Sequence, residues 1–189
     1  MKKILFLAMA LTMTSTLTLA AEVPNSKRAR LDRIEKILSP DVPRVLCLDE
    51  NLTTGAQPTG NAYINAAASG FHSVLSLRTG NEGIDLARER AQVEGTKMRY
   101  FNIPVNSSAP LPEQADEFIR LVKDPSHHPM LINCASANRV GAFMMIYRVV
   151  DQGWSEDEAL AEAKNIGLRS DTLKKFAQDY IARHPSKVR

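Results

Sequence analysis

Short β-rich apolar runs alternate along this chain with longer segments that carry apolar residues at helical spacing. The runs predict strands at 45–48, 52–54, 72–78, 98–105 and 129–133. The longer segments predict helices at 61–70, 83–95, 110–124 and 139–153, followed by two helices that open at Ser155 and at about Ser170. This alternation predicts an α/β fold with a central, mostly parallel sheet flanked by helices, and two or three helices at the C-terminal end.

The helical segment at 139–153 has almost no polar face, so it is predicted to be buried. The segment at 26–36 instead interleaves apolar with basic and acidic residues, which is typical of a solvated helix. We therefore divide the chain after its first residues into an N-terminal helix and linker at 21–43 and one α/β domain at 44–189.

The first residues have the pattern of a secretory signal peptide. Two lysines precede an apolar stretch at 4–11, and small residues follow it. The stretch is shorter than the roughly 20 residues that span a bilayer, so a membrane anchor is disfavoured. We predict a signal peptide at 1–20, with cleavage after Ala20 or alternatively after Ala21, and a periplasmic or secreted protein without a stable membrane anchor after cleavage.

The chain has 189 residues, of which 24 are basic and 21 acidic. Removal of the predicted signal peptide takes away two of the lysines and leaves a balance close to zero, which gives no indication of nucleic-acid binding. The adjacent His127 and His128 have no further histidine at ligand spacing, so they predict a solvated turn rather than a metal site. We expect neither a metal nor a cofactor.

The two cysteines, Cys47 and Cys134, would meet an oxidising environment in an exported protein. They can form one disulfide or remain as two thiols, and the sequence leaves both arrangements open. The residues around Cys134 favour a free thiol.

Those residues form the segment "CASANR", which follows a predicted buried strand and leads into the predicted buried helix. Backbone N–H groups in such a loop form an anion site at the positive end of the helix dipole, and Arg139 can add a two-pronged hydrogen bond. Both features stabilise a thiolate at Cys134 and make it a candidate nucleophile. The candidate anion-binding residues are Ala135, Ser136, Ala137, Asn138 and Arg139.

Two further interpretations accompany this loop. Small side chains at 135–137 keep it open, and Gly141 is expected to allow the helix to approach a neighbour closely. The competing interpretation is a core cysteine at a strand end, with Arg139 reaching solvent, because cysteine is among the most buried residue types.

Four segments occur in order: "TGAQP" at 54–58, "SGFHSVLSLR" at 69–78, "IPV" at 103–105 and "NCASANRVGA" at 133–142. Together they resemble the beta-lactamase-hydrolase-like phosphatase family, a bacterial branch of the dual-specificity and tyrosine phosphatase fold, some members of which are described as sulfurtransferase domains. The resemblance implies that Cys134 attacks phosphorus while Arg139 and the loop amides hold the phosphoryl oxygens. It also places Gln57 and Arg78 near the rim of the site.

The chain departs from the tyrosine phosphatase pattern in its loop. Four residues separate Cys134 from Arg139, whereas tyrosine phosphatases have five, and the shorter spacing is shared with rhodanese-type sulfurtransferases that carry a persulfide. Asn133 replaces the usual histidine, and Val140 stands where many relatives have a hydroxyl. Each change predicts a slower enzyme.

A general acid is also missing from its expected place. Phosphatases of this fold usually carry an aspartate after the strand that corresponds to "YFNIPV", but this loop offers Asn106, Ser107 and Ser108, with no acid before Glu113. The enzyme is therefore expected to favour substrates with good leaving groups, or to use Glu82 or Asp85 from the loop after "LSLR".

The leading hypothesis is an exported, cysteine-dependent phosphatase that acts on a phosphorylated small molecule or a phosphoprotein. The alternatives are a periplasmic rhodanese-like sulfurtransferase with a Cys134 persulfide, and a catalytically weak oxyanion-binding or interaction module.

Overall fold

The computed structural model describes residues 19–186, with side chains from Ser26 onward. The helices are α1 Leu19–Leu38, α2 Ala62–Ala68, α3 Leu86–Gly95, α4 Pro112–Val122, α5 Asn138–Val150, α6 Glu156–Ile166 and α7 Asp171–Arg183, with a 3₁₀ turn at Pro125–His127. The strands are β1 Leu46–Cys47, β2 Leu52–Gly55, β3 Ser73–Ser76, β4 Arg99–Asn102 and β5 Met130–Asn133.

The five strands form one sheet in the order β1-β2-β5-β3-β4. Only β1 is antiparallel to its neighbour, so the predicted α/β fold with a mostly parallel sheet is confirmed. Strands β3 and β4 are shorter than the predicted 72–78 and 98–105. For β4 the reason is Pro104, which has no N–H to donate to a neighbouring strand.

The sheet separates two hydrophobic clusters, because alternate residues of each strand point to opposite faces. Val74 and Leu131 belong to the cluster beneath α1, α2 and α3. Leu75 and Ile132 belong to the larger cluster beneath α4 to α7. Every residue of α5 except Asn138 is buried, which confirms the prediction from its missing polar face.

Helix α5 packs closely against α6 at Gly141. A Cβ atom at this position would lie 2.6 Å from the carbonyl oxygen of Ala163, far inside van der Waals contact. The glycine therefore permits the close approach that the sequence suggested, and this contact fixes the start of α5 relative to the C-terminal helices.

None of the helices in residues 19–186 is both long enough and apolar enough to cross a membrane. The predicted signal peptide lies outside the described residues except for its last two positions, so signal cleavage and export stay predictions.

The two cysteines are separate free thiols. Cys47 on β1 lies opposite Thr53 on β2, whose partner on β5 is Leu131, three residues before Cys134. Strand spacing and rise put the two thiols on the order of 10 Å apart across the sheet and about 10 Å apart along it, beyond the reach of a disulfide. The question that the sequence left open is answered in favour of two thiols in this structure.

Candidate active site

The candidate loop lies at the carboxyl end of the central strand. β5 ends at Asn133, α5 begins at Asn138, and residues 134–137 join them. Because β2 and β3 flank β5 and run parallel to it, the segments that follow these two strands lie on either side of the loop. The segment after β2 contacts the loop directly, since the backbone N–H of Gln57 donates to the carbonyl oxygen of Ala135 over 3.5 Å.

Ala137 turns the chain into α5 through a left-handed backbone conformation with φ of 64°. The first helical bond of α5 is donated by Gly141 to the Ala137 carbonyl oxygen over 3.0 Å. The amides of residues 135–140 donate to no backbone carbonyl in residues 19–186. The loop and the first turn of α5 therefore present consecutive N–H groups at the positive end of a helix, as an oxyanion cradle requires.

Arg139 is buried, with only 4 % of its surface exposed, and its guanidinium is held by hydrogen bonds. Its Nη1 donates to Glu82 Oε1 over 2.6 Å and to the carbonyl oxygens of Leu77 and Val105 over 2.9 and 2.8 Å. Its Nη2 donates to Glu82 Oε2 over 2.7 Å. The two-pronged pair with Glu82 fixes the plane of the guanidinium. Arg139 does not reach solvent, so the competing sequence interpretation is wrong on that point.

The electrostatics of this pair favour the charged forms of both partners. Burial acts to raise the pKa of Glu82, but hydrogen bonds from Arg139 and Thr79 outweigh it and lower the pKa to about 2. Burial acts to lower the pKa of Arg139, yet the hydrogen bonds to Glu82 and the negative charge of a Cys134 thiolate raise it. The guanidinium is thus electrostatically coupled to both the carboxylate and the candidate nucleophile.

The predicted rim residues Gln57 and Arg78 lie beside this pair. Arg78 contacts Glu82 through Nε, 2.8 Å from Oε2, and donates from Nη2 to the Glu82 carbonyl oxygen over 3.0 Å. Its Nη1 donates to Gln57 Oε1 over 2.7 Å. Both residues are therefore part of a polar network that includes Arg139, in which the arginines are buried and Gln57 and Glu82 are half-buried.

The other predicted binding residues are placed differently from one another. Ala135 and Ser136 are exposed, whereas Ala137 is fully buried. The Asn138 side chain points away from the cradle, because its Oδ1 accepts hydrogen bonds from the amides of Arg169 and Ser170 over 3.0 and 3.2 Å. The Asn138 side chain thus anchors the loop before α7 to the cradle, and only its backbone amide remains for an anion-binding role.

Cys134 is fully buried at the base of the loop, within the cluster beneath α4 to α7. Cys47 is also buried, and burial raises its pKa to about 11 even though its Sγ accepts a hydrogen bond from Thr53 Oγ1. Cys47 is therefore a structural cysteine of low reactivity, because its thiol stays protonated, and it lies far from the cradle.

The surroundings of Glu82 argue against its use as a borrowed general acid. A carboxyl group with a pKa of about 2 carries no proton near neutral pH, and this one is occupied by two arginines. Asp85 caps α3, where its side chain accepts from the Arg88 amide. In the loop after β4, Asn106 closes a turn on Ser108, and the first acid is the exposed Glu113 in the first turn of α4.

The sequence interpretation missed a buried carboxylate, Glu89 on α3, which is only 3 % exposed. Its Oε1 accepts from Gln57 Nε2 over 2.8 Å and from the Tyr63 hydroxyl over 2.7 Å, and its Oε2 accepts from the Tyr100 hydroxyl over 2.6 Å. A signal existed, because Glu89 lies four residues before the buried Val93 and so shares its inward helix face.

A comparison with protein families gives one match over most of the chain. The family described as "PTP-NADK: DSP-PTPase phosphatase fused to NAD+ Kinase" matches residues 26–183. No curated protein matches the sequence.

Solved structures share the fold. A DUF442 protein from Shewanella putrefaciens CN-32 is 16% identical, covers 78% of this chain and 97% of its own, and superposes with a TM-score of 0.65. TpbA from P. aeruginosa is 20% identical over 75% of this chain and 84% of its own, with a TM-score of 0.59. SIW14 from S. cerevisiae is 16% identical over 74% of this chain and 87% of its own, with a TM-score of 0.63. These neighbours confirm the phosphatase-like fold that the four sequence segments implied.

Proposed function

The chain belongs to the family of dual-specificity and tyrosine-type phosphatases that matches residues 26–183, and on that basis we propose a specific role for each residue of its loop. By that membership it is a cysteine-based phosphoric-ester hydrolase. Cys134 is the nucleophile. Arg139 and the amides of residues 135–140 hold the three non-bridging oxygens of the phosphoryl group. The observation that carries this assignment is the buried Arg139, fixed by Glu82 at the same helix terminus that presents the unpaired amides.

The proposed reaction has two displacements. In the first, the Cys134 thiolate attacks phosphorus, the Sγ–P bond forms and the ester P–O bond breaks, so that the alcohol leaves with a proton taken from solvent. In the second, water attacks phosphorus and gives up a proton to solvent, the Sγ–P bond breaks, and inorganic phosphate leaves while Cys134 returns to the thiolate. The phosphoryl oxygens stay in nearly the same place and keep their negative charge in both steps, so one fixed set of donors serves both.

Arg139 has donors available for this task. Its described hydrogen bonds occupy Nη1 and one position of Nη2, which leaves Nε and the second Nη2 hydrogen. Because Glu82 holds the guanidinium from one side, these remaining donors are oriented before substrate arrives. Preorganised donors of this kind stabilise a transition state without a reorganisation cost at the moment of reaction.

The substrate class follows from the missing acid. General acid catalysis contributes about 10²–10⁴-fold to reactions of this type. Without it, phenolic leaving groups, with a pKa of about 10, are favoured over the much more basic alkoxides of serine or sugars. TpbA has been solved with phosphotyrosine, and SIW14 is described as a PP-IP phosphatase. We propose aryl phosphates and phosphotyrosine-like groups as the first substrates to test.

The test measures hydrolysis of an activated aryl phosphate by the reduced protein across a pH series. The Cys134→Ser variant should lose turnover and keep its affinity for an oxyanion such as sulfate. Turnover that persists in this variant would exclude the mechanism. With no general acid, the rate for a substrate with a good leaving group should not fall steeply above neutral pH.

The four-residue spacing between Cys134 and Arg139 favours sulfurtransferase chemistry as a second function. In that case Cys134 carries a persulfide, and thiosulfate and cyanide should yield thiocyanate. The absence of an acid in the loop after β4 favours a third function, an oxyanion-binding module with negligible turnover. A protein that binds oxyanions but neither hydrolyses phosphate esters nor transfers sulfur from thiosulfate would support this third function.

Export is a separate part of the proposal, and it rests on the N-terminal sequence pattern alone. Fractionation of cells that express the full chain should recover the protein outside the cytoplasm. Its first residue should be Ala21, or Glu22 for the alternative cleavage. Recovery in the cytoplasm with an intact N-terminus would contradict export without affecting the phosphatase assignment.

A further inference from the structure

A continuous series of hydrogen bonds and one ion pair runs from α3 to Arg139. Glu89 accepts from Gln57 Nε2 over 2.8 Å, and Gln57 Oε1 accepts from Arg78 Nη1 over 2.7 Å. Arg78 in turn contacts Glu82, which receives the two-pronged bond from Arg139. Arg78, Glu89 and Arg139 are buried at 8 %, 3 % and 4 % exposure, whereas Gln57 and Glu82 are half-buried, so the series lies partly shielded from water.

Gln57 is the only neutral member of this series, and its amide suits the position. The carbonyl end faces a cation and can only accept, while the NH₂ end faces an anion and can only donate. A carboxylate at this position would face Glu89, and an apolar side chain would leave both Arg78 and Glu89 short of a partner. The main chain of Gln57 also reaches the cradle, at the carbonyl oxygen of Ala135.

The far end of the series is held rigidly. The hydroxyls of Tyr63 and Tyr100 donate to the two oxygens of Glu89, and their own pKa values are raised by burial and by the neighbouring carboxylate, so both stay protonated donors. Glu89 therefore accepts three hydrogen bonds from residues on three separate elements of the fold. This makes it a fixed reference point for the orientation of Gln57.

We propose that Gln57 is a positioning residue for catalysis: anchored by Glu89, it holds Arg78 so that the Glu82 carboxylate stays aligned with the Arg139 guanidinium. This inference rests on the proposed function of the Cys134–Arg139 loop and extends it to a residue that touches no substrate. If the Gln57 acceptor is lost, Arg78 Nη1 turns to Glu82, the nearest anion, and competes with Arg139 for it. Arg139 then loses the fixed plane that oxyanion recognition needs.

The first experiment compares Gln57→Met with Gln57→Glu. The first removes both polar ends at similar volume, and the second replaces the donor with a like charge against Glu89. Each should lower kcat/KM for an aryl phosphate by at least about tenfold, a magnitude within the range of coupled buried pairs. The matched control is Gln92→Met, an exposed glutamine that lines the same cleft of about 420 Å³ as Gln57 and Glu89. It should leave kcat/KM unchanged.

Rescue separates positioning from simple destabilisation. In the double variant Gln57→Glu with Glu89→Gln, the carboxylate and the amide exchange places and the net charge is unchanged. The new carboxylate accepts from both Arg78 and the new amide, and the Tyr63 hydroxyl reverses to accept. The double variant should recover kcat/KM to within a few-fold of wild type, while Glu89→Gln alone does not.

A binding measurement keeps the inference testable apart from turnover. In a Cys134→Ser background, Gln57→Met should weaken sulfate affinity by calorimetry, while Gln92→Met leaves it unchanged. If the wild type hydrolyses no aryl phosphate, the proposed phosphatase function fails and the positioning role is decided by these affinities. Equal affinities in the two variants, or equal kcat/KM in an active enzyme, would overturn it. If a single variant fails to fold, the double variant Gln57→Glu with Glu89→Gln takes its place. Failure of that double variant to recover kcat/KM also overturns the positioning role.

Discussion

Helix α5 carries two buried arginines nine residues apart, and they differ in what their partners leave free. Arg139 and Arg148 are each 4 % exposed, and each forms a two-pronged pair with a glutamate. Arg148 uses Nε and Nη2 on Glu162 and Nη1 on Gln152, and its guanidinium lies 4.7 Å from the ring centroid of Trp154. Within residues 19–186, Arg139 donates from Nη1 and Nη2 to Glu82 and to two carbonyl oxygens, and it also interacts with Cys134.

Burial and ion pairing alone therefore do not identify a functional arginine. Arg148 is enclosed by groups that satisfy all of its nitrogens, which is typical of a structural contact between helices. Arg139 lies in the first turn of α5 and interacts with Cys134, and none of the hydrogen bonds to Glu82, Leu77 and Val105 uses its Nε. The two sites differ in whether these hydrogen bonds engage every guanidinium nitrogen, and four predictions test what that difference means for function.

The largest expected effect comes from the same substitution at both positions. Arg139→Lys should lower kcat/KM by about 10²–10³-fold, because an ammonium cannot replace the planar fork that faces the oxyanion. Arg148→Lys should leave kcat/KM nearly unchanged and cost about 1–3 kcal/mol in the free energy of unfolding, through lost hydrogen bonds to charged groups. Steady-state kinetics and urea unfolding measure both. Equal losses of activity would remove the distinction.

Glu82→Gln should affect both properties at once. The change leaves the buried Arg139 with a neutral partner, which should cost up to about 3 kcal/mol in the free energy of unfolding. Activity should fall less than for Arg139→Lys, because the guanidinium remains but loses its fixed plane. Glu162→Gln is the matched control beside Arg148, and it should lower stability without lowering activity. Wild-type kinetics in Glu82→Gln would show that the pair is only structural.

The Glu82 carboxylate also predicts a pH dependence of stability. Its folded-state pKa of about 2 lies below the ordinary value of 4.5, so its contribution is fully present above pH 4.5 and is lost as the pH falls toward 2. The contribution is about 3 kcal/mol at most. Unfolding free energies of wild type and Glu82→Gln, measured between pH 6 and 2, should therefore converge as the pH falls. Parallel curves would contradict this contribution.

The smallest expected effect is that of Asn138→Ala. Two backbone amides, at Arg169 and Ser170, lose their acceptor, which should cost about 1–2 kcal/mol in the free energy of unfolding. Because the side chain points away from the cradle, sulfate affinity should change little. A loss of affinity as large as that of Arg139→Lys would place Asn138 in the anion site after all.

Much of the fold was predictable because its signals are local. Runs of apolar residues predicted all five strands, and the serines at 155 and 170 cap α6 and α7 as expected. The carboxyl end of β5 was correctly identified as the location of the loop, because parallel sheets bind ligands there. Strand ends were less accurate, since Pro104 acts through a missing donor that periodicity does not register.

The site was only half predictable, because its second half depends on contacts between distant segments. Cys134 and Arg139 share one loop, so their relation is written in the sequence. Glu82 is 57 positions from Arg139, and nothing near it distinguishes a buried partner of arginine from a surface carboxylate. Glu89 is a charged residue on the inward face of α3, and Arg148 lies within the apolar run of α5, so local signals could have identified both.

The separation of the two cysteines has a consequence for oxidation. A phosphatase cysteine that is oxidised to a sulfenic acid can be rescued by a nearby second thiol, which forms a disulfide and prevents further oxidation. The chain has only two cysteines, and Cys47 lies too far across the sheet to serve Cys134. After brief peroxide treatment we therefore expect recovery only with an added small thiol, and prolonged treatment should carry Cys134 irreversibly to the sulfinic acid.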